Sequence, residues 1–299
     1  MKRIALYILL LGTIISCEKK SNKNNIVATT NIIASSLKEI IGNDVPMVVL
    51  MNSETDPHAY QASPNDYKEL ANAKVIVSNG LHLEGKIHET ILETTKGNGS
   101  KHLQFSDALS ENEIIFEEQT VPDPHIWFDV AQWKKCLNYT VNQLVLLYPE
   151  HKIKWLENLK KYNSKLDACH LETLKKIRSI PKVSKTLITA HDAFSYLSRA
   201  YKIDIKPLQG RNTNSEPSIK DVIYLSEFIV ANKIKAIFVE TTVNKKFILS
   251  IQESCIQKGH KVVIGGELFS DALGAENTPE STYIGMIEHN TKTICNGLK

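Results

Sequence analysis

The sequence predicts an α/β protein made of two lobes, each around a mainly parallel sheet, joined by one long helix. Three observations carry this. Short apolar runs alternate with amphipathic stretches in the first half of the chain, and the same alternation returns in the second half. Between the halves, Glu150 to Ile180 is rich in Lys, Glu and Leu and contains neither Gly nor Pro. Strands alternating with helices imply parallel crossover units. A chain of 299 residues also exceeds the usual size of one hydrophobic core. The boundaries that follow are residues 1–16 as a signal peptide, 17–25 as a tether, 26–148 as the first lobe, 149–181 as the linking helix and 182–299 as the second lobe.

The N-terminus sets the compartment. Met1-Lys2-Arg3 is a basic start, and Ile4 to Ile15 is an apolar run of 12 residues. That run is too short to span a bilayer and fits a secretory signal. It ends at Ile14-Ile15-Ser16-Cys17, which resembles the lipobox of bacterial lipoproteins and would make Cys17 the lipidated first residue of the mature chain. Ile15 stands where a small residue is more usual, so an ordinary signal that happens to contain a cysteine is the alternative. Glu18 to Asn25 is polar and reads as a flexible tether.

The elements then follow in order. Ile26–Thr30, Val45–Leu50 and Val75–Ser78 read as buried parallel strands. Ile32 to Ile41 is a helix ending at Gly42, and Pro64 to Asn72 is a second, with Ser63 as its N-cap. In the linking segment Ile153, Leu156, Leu159, Tyr162, Leu166, Cys169 and Leu174 keep an approximately helical spacing. One helix of that length would be roughly 45 Å long; two helices broken near Asn163-Ser164 are the alternative. In the second half, Thr186–Thr189, Ala236–Glu240 and Lys261–Ile264 read as strands. Phe194–Tyr201, Ile219–Asn232 (capped by Ser218) and Thr282–Cys295 read as helices.

Charge and cysteines exclude several classes. The whole chain has a net charge of +3, and removing residues 1–16 takes away only Lys2 and Arg3. Near-neutrality gives no electrostatic case for nucleic acid. Cys136, Cys169, Cys255 and Cys295 are dispersed, without CxxC pairs or framework spacing. Buried free thiols, with at most one bridge, are the expectation. There is no P-loop, GxGxxG, GxSxG or HExxH.

Four residues stand out as chemistry. His58 lies in Asp56-Pro57-His58-Ala59-Tyr60, His125 in Asp123-Pro124-His125-Ile126-Trp127, His191 in Thr189-Ala190-His191-Asp192-Ala193, and Asp271 in Ser270-Asp271-Ala272-Leu273-Gly274. Three imidazoles and a carboxylate suit one borderline divalent ion, Zn2+ or Mn2+. A lone histidine is more often a surface or structural residue, and Asp271 could instead cap a helix. Two histidines placed after Asp-Pro, and a third beyond a strand end, argue for ligands, because open α/β sheets bind at the C-terminal ends of their strands. Of the other histidines, only His82 is of interest. Trp127 reads as an apolar wall that keeps water from the site.

These stretches, with Asn79-Gly80-Leu81-His82-Leu83-Glu84 and Glu216-Pro217-Ser218, resemble the metal-binding lipoproteins of zinc and manganese ABC transporters. The resemblance runs from about Ile26 to the C-terminus. It implies that His58, His125, His191 and Asp271 hold one metal ion in the cleft between the lobes, two ligands from each, with the long helix behind. It places Glu240 beside them. Zinc-specialised members of that family often carry a His-rich acidic loop before the second ligand. Here Ser110 to Asp123 has Glu111, Glu113, Glu117 and Glu118 but no histidine, which leaves zinc and manganese both open. Lys86 stands where an aromatic residue would be expected nearby.

The function implied is capture of a divalent metal outside the cytoplasm and delivery to a membrane permease. The protein would be a non-enzymatic monomer, exported and lipid-anchored to a bacterial membrane, facing the periplasm or cell surface. The alternatives are an exported zinc hydrolase and a surface adhesin with a structural metal.

Overall fold

The computed structural model describes residues 25–117 and 120–299. The signal peptide, Cys17, nearly all of the tether and Glu118 lie outside the described residues.

The first lobe is a four-stranded parallel sheet in the order β2-β1-β3-β4. Its strands are β1 (Ile26–Thr30), β2 (Met47–Met51), β3 (Val75–Ser78) and β4 (Lys101–Gln104). β1 and β3 are buried along their whole length. That is why they read as continuous apolar runs rather than alternating ones. Helices α1 (Asn31–Ile41), α2 (Pro64–Asn72) and α3 (Ile87–Asn98) make the crossovers. Thr30 caps α1 through its hydroxyl, and Gly42 ends it at φ 61°, a left-handed angle that costs glycine little. Ser63 and Asp66 form a reciprocal capping box on α2 with Pro64 in its first turn. A short antiparallel ribbon, β5 (Phe116–Glu117) with β6 (Val121–Pro122), leads through a 3-10 turn at Ile126–Phe128 into α4 (Val130–Leu147).

The linking segment is one helix, α5 (Lys152–Arg178), 27 residues long and preceded by a 3-10 turn at Pro149–His151. It is about 40 Å long at the usual rise. There is no break at Asn163-Ser164. The buried face differs at its start from the expected one: Ile153 is 85% exposed, and Trp155 takes the inward position. Trp155 Nε1 donates to Asp44 (3.1 Å) and Asn158 to Ile40 O (2.9 Å), so the first half of α5 is tied to the first lobe. His170 meets Tyr201 and Thr173 meets Thr291, which ties its second half to the other lobe.

The second lobe contains two parallel pairs, β7 (Thr186–His191) with β8 (Asp204–Gln209) and β9 (Ala236–Glu240) with β10 (Val263–Leu268). They lie side by side through β7 and β9. Helices α6 (Ser195–Tyr201), α7 (Ile219–Ala231), α8 (Lys246–Gln257) and α9 (Tyr283–Leu298) cover them. β10 starts two residues later than expected and runs on to Leu268. Gly265-Gly266 looks like a stop but lies inside the strand, where the register shifts. Gly265 is needed there because a Cβ would stand 2.8 Å from the Phe238 ring. One continuous apolar core runs from β1 and α1 through α4 and α5 to α6 and α9, crossing from lobe to lobe. Cys136, Cys169, Cys255 and Cys295 are all buried free thiols.

Candidate metal centre

The fold gathers the four singled-out residues at one point. His58 sits in the loop after β2, His125 just past β6, His191 is the last residue of β7, and Asp271 follows β10. His191 belongs to the strand itself rather than lying beyond it. No helix follows Asp271 directly, so it is not an N-cap. One ligand atom from each of the four lies within 4.8 Å of the other three. His58 Nε2 is 3.2 Å from His125 Nε2, His125 Nε2 is 3.3 Å from Asp271 Oδ1, and His191 Nε2 is 3.3 Å from Asp271 Oδ2. His58 Nε2 to Asp271 Oδ1 is longer, at 4.0 Å. Ligands about 2.0–2.1 Å from a tetrahedral zinc are about 3.3–3.4 Å apart, so three of these four spacings fit an ion at the centre.

Chemistry supports the same reading. His191 Nε2 and Asp271 Oδ1 are buried without a hydrogen-bond partner. Such orphans are costly unless something satisfies them. Exposure falls from 7% for His58 to 2% for Asp271 and 0% for His125 and His191.

The two Asp-Pro-His stretches build the same local turn. Asp56 Oδ1 accepts the His58 backbone N–H and Asp123 Oδ1 that of His125, each at 2.9 Å. The aspartate closes a turn on the residue two positions on, and proline fixes the backbone between them. Asp123 Oδ1 also bonds His125 Nδ1 at 2.7 Å, which leaves Nε2 facing the cluster. Glu240, at the end of β9, does the equivalent for His191. It pairs with Nδ1 at 2.5 Å and accepts the backbone N–H groups of Ala190 and His191. A carboxylate behind a ligating imidazole fixes its tautomer and raises its basicity. Asp271 is held through Oδ2 by the Thr242 and Ser270 hydroxyls at 3.0 and 3.3 Å.

The electrostatics follow from these partners. Burial pushes His58 down to about 4, so its imidazole is neutral near pH 7. For His125 and His191 burial pulls the same way, but the carboxylates of Asp123, Glu240 and Asp271 outweigh it and hold both above the ordinary range. Burial would raise Asp271, yet His191 and His125 keep it well below the usual carboxylate range. The site therefore keeps its carboxylate ionised deep in the protein.

Trp127 is buried, packs edge-on against His125 with ring centroids 5.2 Å apart, and donates Nε1–H to Ser270 O across the cleft. It joins the lobes. Sequence reasoning missed Asp123 as the His125 partner, Thr242 as the Asp271 clamp, and Arg211, which lies 3.6 Å from Asp123 and 3.2 Å from Asp192. Asp123 had a signal, the repeated Asp-Pro-His. Thr242 and Arg211 had none.

A cluster able to hold one ion, between two α/β lobes on a single helix, points to a class of metal-binding protein. The chain belongs to the family described as zinc-uptake complex component A, periplasmic (ZnuA), whose model matches residues 26–297. It is 36% identical over 289 residues to the manganese-binding lipoprotein MntA of Bacillus subtilis, covering 96% of this chain and 94% of that one. It is 38% identical to the zinc-binding protein TroA of Treponema pallidum, over 90% of this chain and 87% of that one. The solved structure of the TroA protein superposes with a TM-score of 0.89, covering 92% of this chain and 99% of that one.

Proposed function

We propose that the protein captures one divalent transition-metal ion outside the cytoplasm and hands it to the permease of an ABC transporter. His58, His125, His191 and Asp271 are the ligands. The observation that carries this is the convergence of three imidazole nitrogens and a buried carboxylate on one point, with His125, His191 and Asp271 each backed by a fixed partner. Zn2+ and Mn2+ are both suited to this donor set, and relatives named for manganese and for zinc support either ion. The cargo chemistry is coordination only. Both Asp271 oxygens turn toward the histidines, which favours closed coordination; a catalytic zinc keeps a position for water. Glu240, the carboxylate a hydrolase would need as a base, is engaged by His191 and two backbone N–H groups.

The division into lobes at residues 26–148 and 182–299, with the linking helix between, belongs to this proposal. So do export, a lipid on Cys17 and action as a monomer. The lipoprotein names of relatives support the anchor. The test is metal uptake in cells lacking the protein. The wild-type chain should restore accumulation of zinc or manganese, and His125→Ala, expressed to the same level, should not. Equal restoration by both would reject the ligand assignment.

A further inference from the structure

The loop between β8 and α7, residues 210–218, reaches from the second lobe onto both Asp-Pro-His turns of the first. Arg211 meets the His125 turn. Its Nη1 donates to Val121 O at 3.2 Å, and its Nε lies 3.6 Å from Asp123 while pairing with Asp192 at 3.2 Å. Thr213 and Asn214 meet the His58 turn. The Thr213 hydroxyl donates to Asp56 Oδ2 at 2.5 Å, and Asn214 Nδ2 donates to His58 O at 3.2 Å. Asn212 Oδ1 accepts the Asn214 backbone N–H at 2.9 Å, which folds the loop where it makes these contacts.

The two turns depend on this loop unequally. The His125 turn has other holds: Tyr196 donates to Asp123 O, Asn79 donates to Pro124 O, and Asp123 backs the ring. His58 lies in the irregular stretch 52–63 between β2 and α2, and among the described residues no carboxylate bonds its Nδ1. Its turn is closed by Asp56 Oδ1, and the other oxygen of that carboxylate is the one Thr213 holds. A chain of two hydrogen bonds therefore runs from the second lobe to the His58 backbone. Within its own lobe the stretch is next anchored at Tyr60, which donates to Leu50 O at 3.3 Å. His58 is also the most exposed of the four ligands, and a cavity of about 380 Å³ lined in part by Asn212 and Asn214 opens onto it.

We propose that the 210–218 loop is the latch on the bound ion: Thr213, acting through Asp56, and Asn214 position His58 from the opposite lobe, and breaking those two bonds is the step that lets the ion leave. The ligand at the opening with the fewest holds is the first to detach. While the latch is closed, the His58 backbone is fixed to both lobes, so a detached imidazole returns to the ion. Once it opens, the turn moves away and water takes the vacated position. Loops that gate a site are drawn from segments with few contacts of their own, as this stretch is. Thr213 and Asn214 are positioning residues and touch no metal. The proposal rests on the buried cluster being the cargo site.

The test is stopped-flow release of Zn2+ from the full chain in detergent to excess chelator, beside amide hydrogen exchange of residues 52–60 in metal-free protein. Thr213→Val keeps the shape and loses the donor. It should speed release by about tenfold, leave association unchanged, and raise exchange in residues 52–60 while α1 and α9 exchange as in the wild type. Thr213→Ser keeps the hydroxyl and should release close to the wild-type rate. Asn214→Ala should speed release by less, because a neutral 3.2 Å bond is weaker than one to a carboxylate. Wild-type release from Thr213→Val overturns the latch, as does Thr213→Ser releasing as fast as Thr213→Val. Should Thr213→Val fail to fold, Asn214→Ala, at an exposed position, decides by the same rate. A wild type that takes up no Zn2+ overturns the cargo reading and the latch with it; tight uptake with unchanged release in the variants overturns the latch alone.

Discussion

Each Asp-Pro-His stretch uses three residues for one task. The aspartate closes the turn, the proline stiffens it and the histidine projects into the cluster. Asp123 adds a bond to the ring of its own histidine, while Asp56 instead takes the Thr213 hydroxyl across the cleft at 2.5 Å. His125 is therefore the more rigid of the pair. His125→Ala should abolish tight binding, measured by chelator competition, because no neighbour can reach the vacated position. His102→Ala should leave the tight site unchanged; equal losses in both would contradict the assignment. Glu240→Gln keeps the shape but weakens the hold on the His191 tautomer, and it should lower affinity about 10–100-fold while the fold persists. An unchanged affinity would mean that Glu240 only ties β9 to β7. The two Asp-Pro-His stretches were legible in the sequence because their turn chemistry is local. Thr242 and Arg211 were not, because nothing near them in sequence marks what they meet across the fold.

At the scale of elements, α5 decides how the lobes relate. Its apolar face meets α1 and α4 first and then α6 and α9, so one helix enters the packing of both lobes. Leu166, fully buried near the middle of that face, should cost about 2–5 kcal/mol when changed to alanine. Ile153→Ala should stay within about 0.5 kcal/mol, because that side chain is 85% exposed. Chemical denaturation of both variants checks the pair, and a larger loss from Ile153 would put the buried face where spacing alone had placed it. The periodicity of residues 150–180 revealed the helix but not its first turn. There Trp155 wins the inward place by its bond to Asp44. The capped α1 and α2 were readable from Gly42 and Ser63. The strands β4 and β8 were not. β4 is only partly buried, and β8 carries Asp204, Lys206 and Pro207, so neither shows the apolar run that marked β1 and β3.

For the whole molecule the consequence is stiffness. The apolar core is continuous between lobes, and Trp127 to Ser270, Tyr196 to Asp123 and Tyr283 to Trp127 add hydrogen bonds across the cleft. A helix resists bending because its backbone bonds would stretch. Metal release should therefore move loops around His58, His191 and Asp271 rather than swing a lobe. Solution scattering with and without metal should give nearly the same radius of gyration. A contraction of several ångströms on binding would mean a hinge. Binding to the folded state should also raise the melting temperature, by the equivalent of about 2.7 kcal/mol at free metal 100 times the dissociation constant. The central claim, that one ion sits among four residues from both lobes, is tested most directly by anomalous diffraction at the metal edge from crystals grown with Zn2+. The strongest peak should lie about 2.0–2.2 Å from His58 Nε2, His125 Nε2, His191 Nε2 and an Asp271 oxygen. A strongest peak on any other residues would contradict the account.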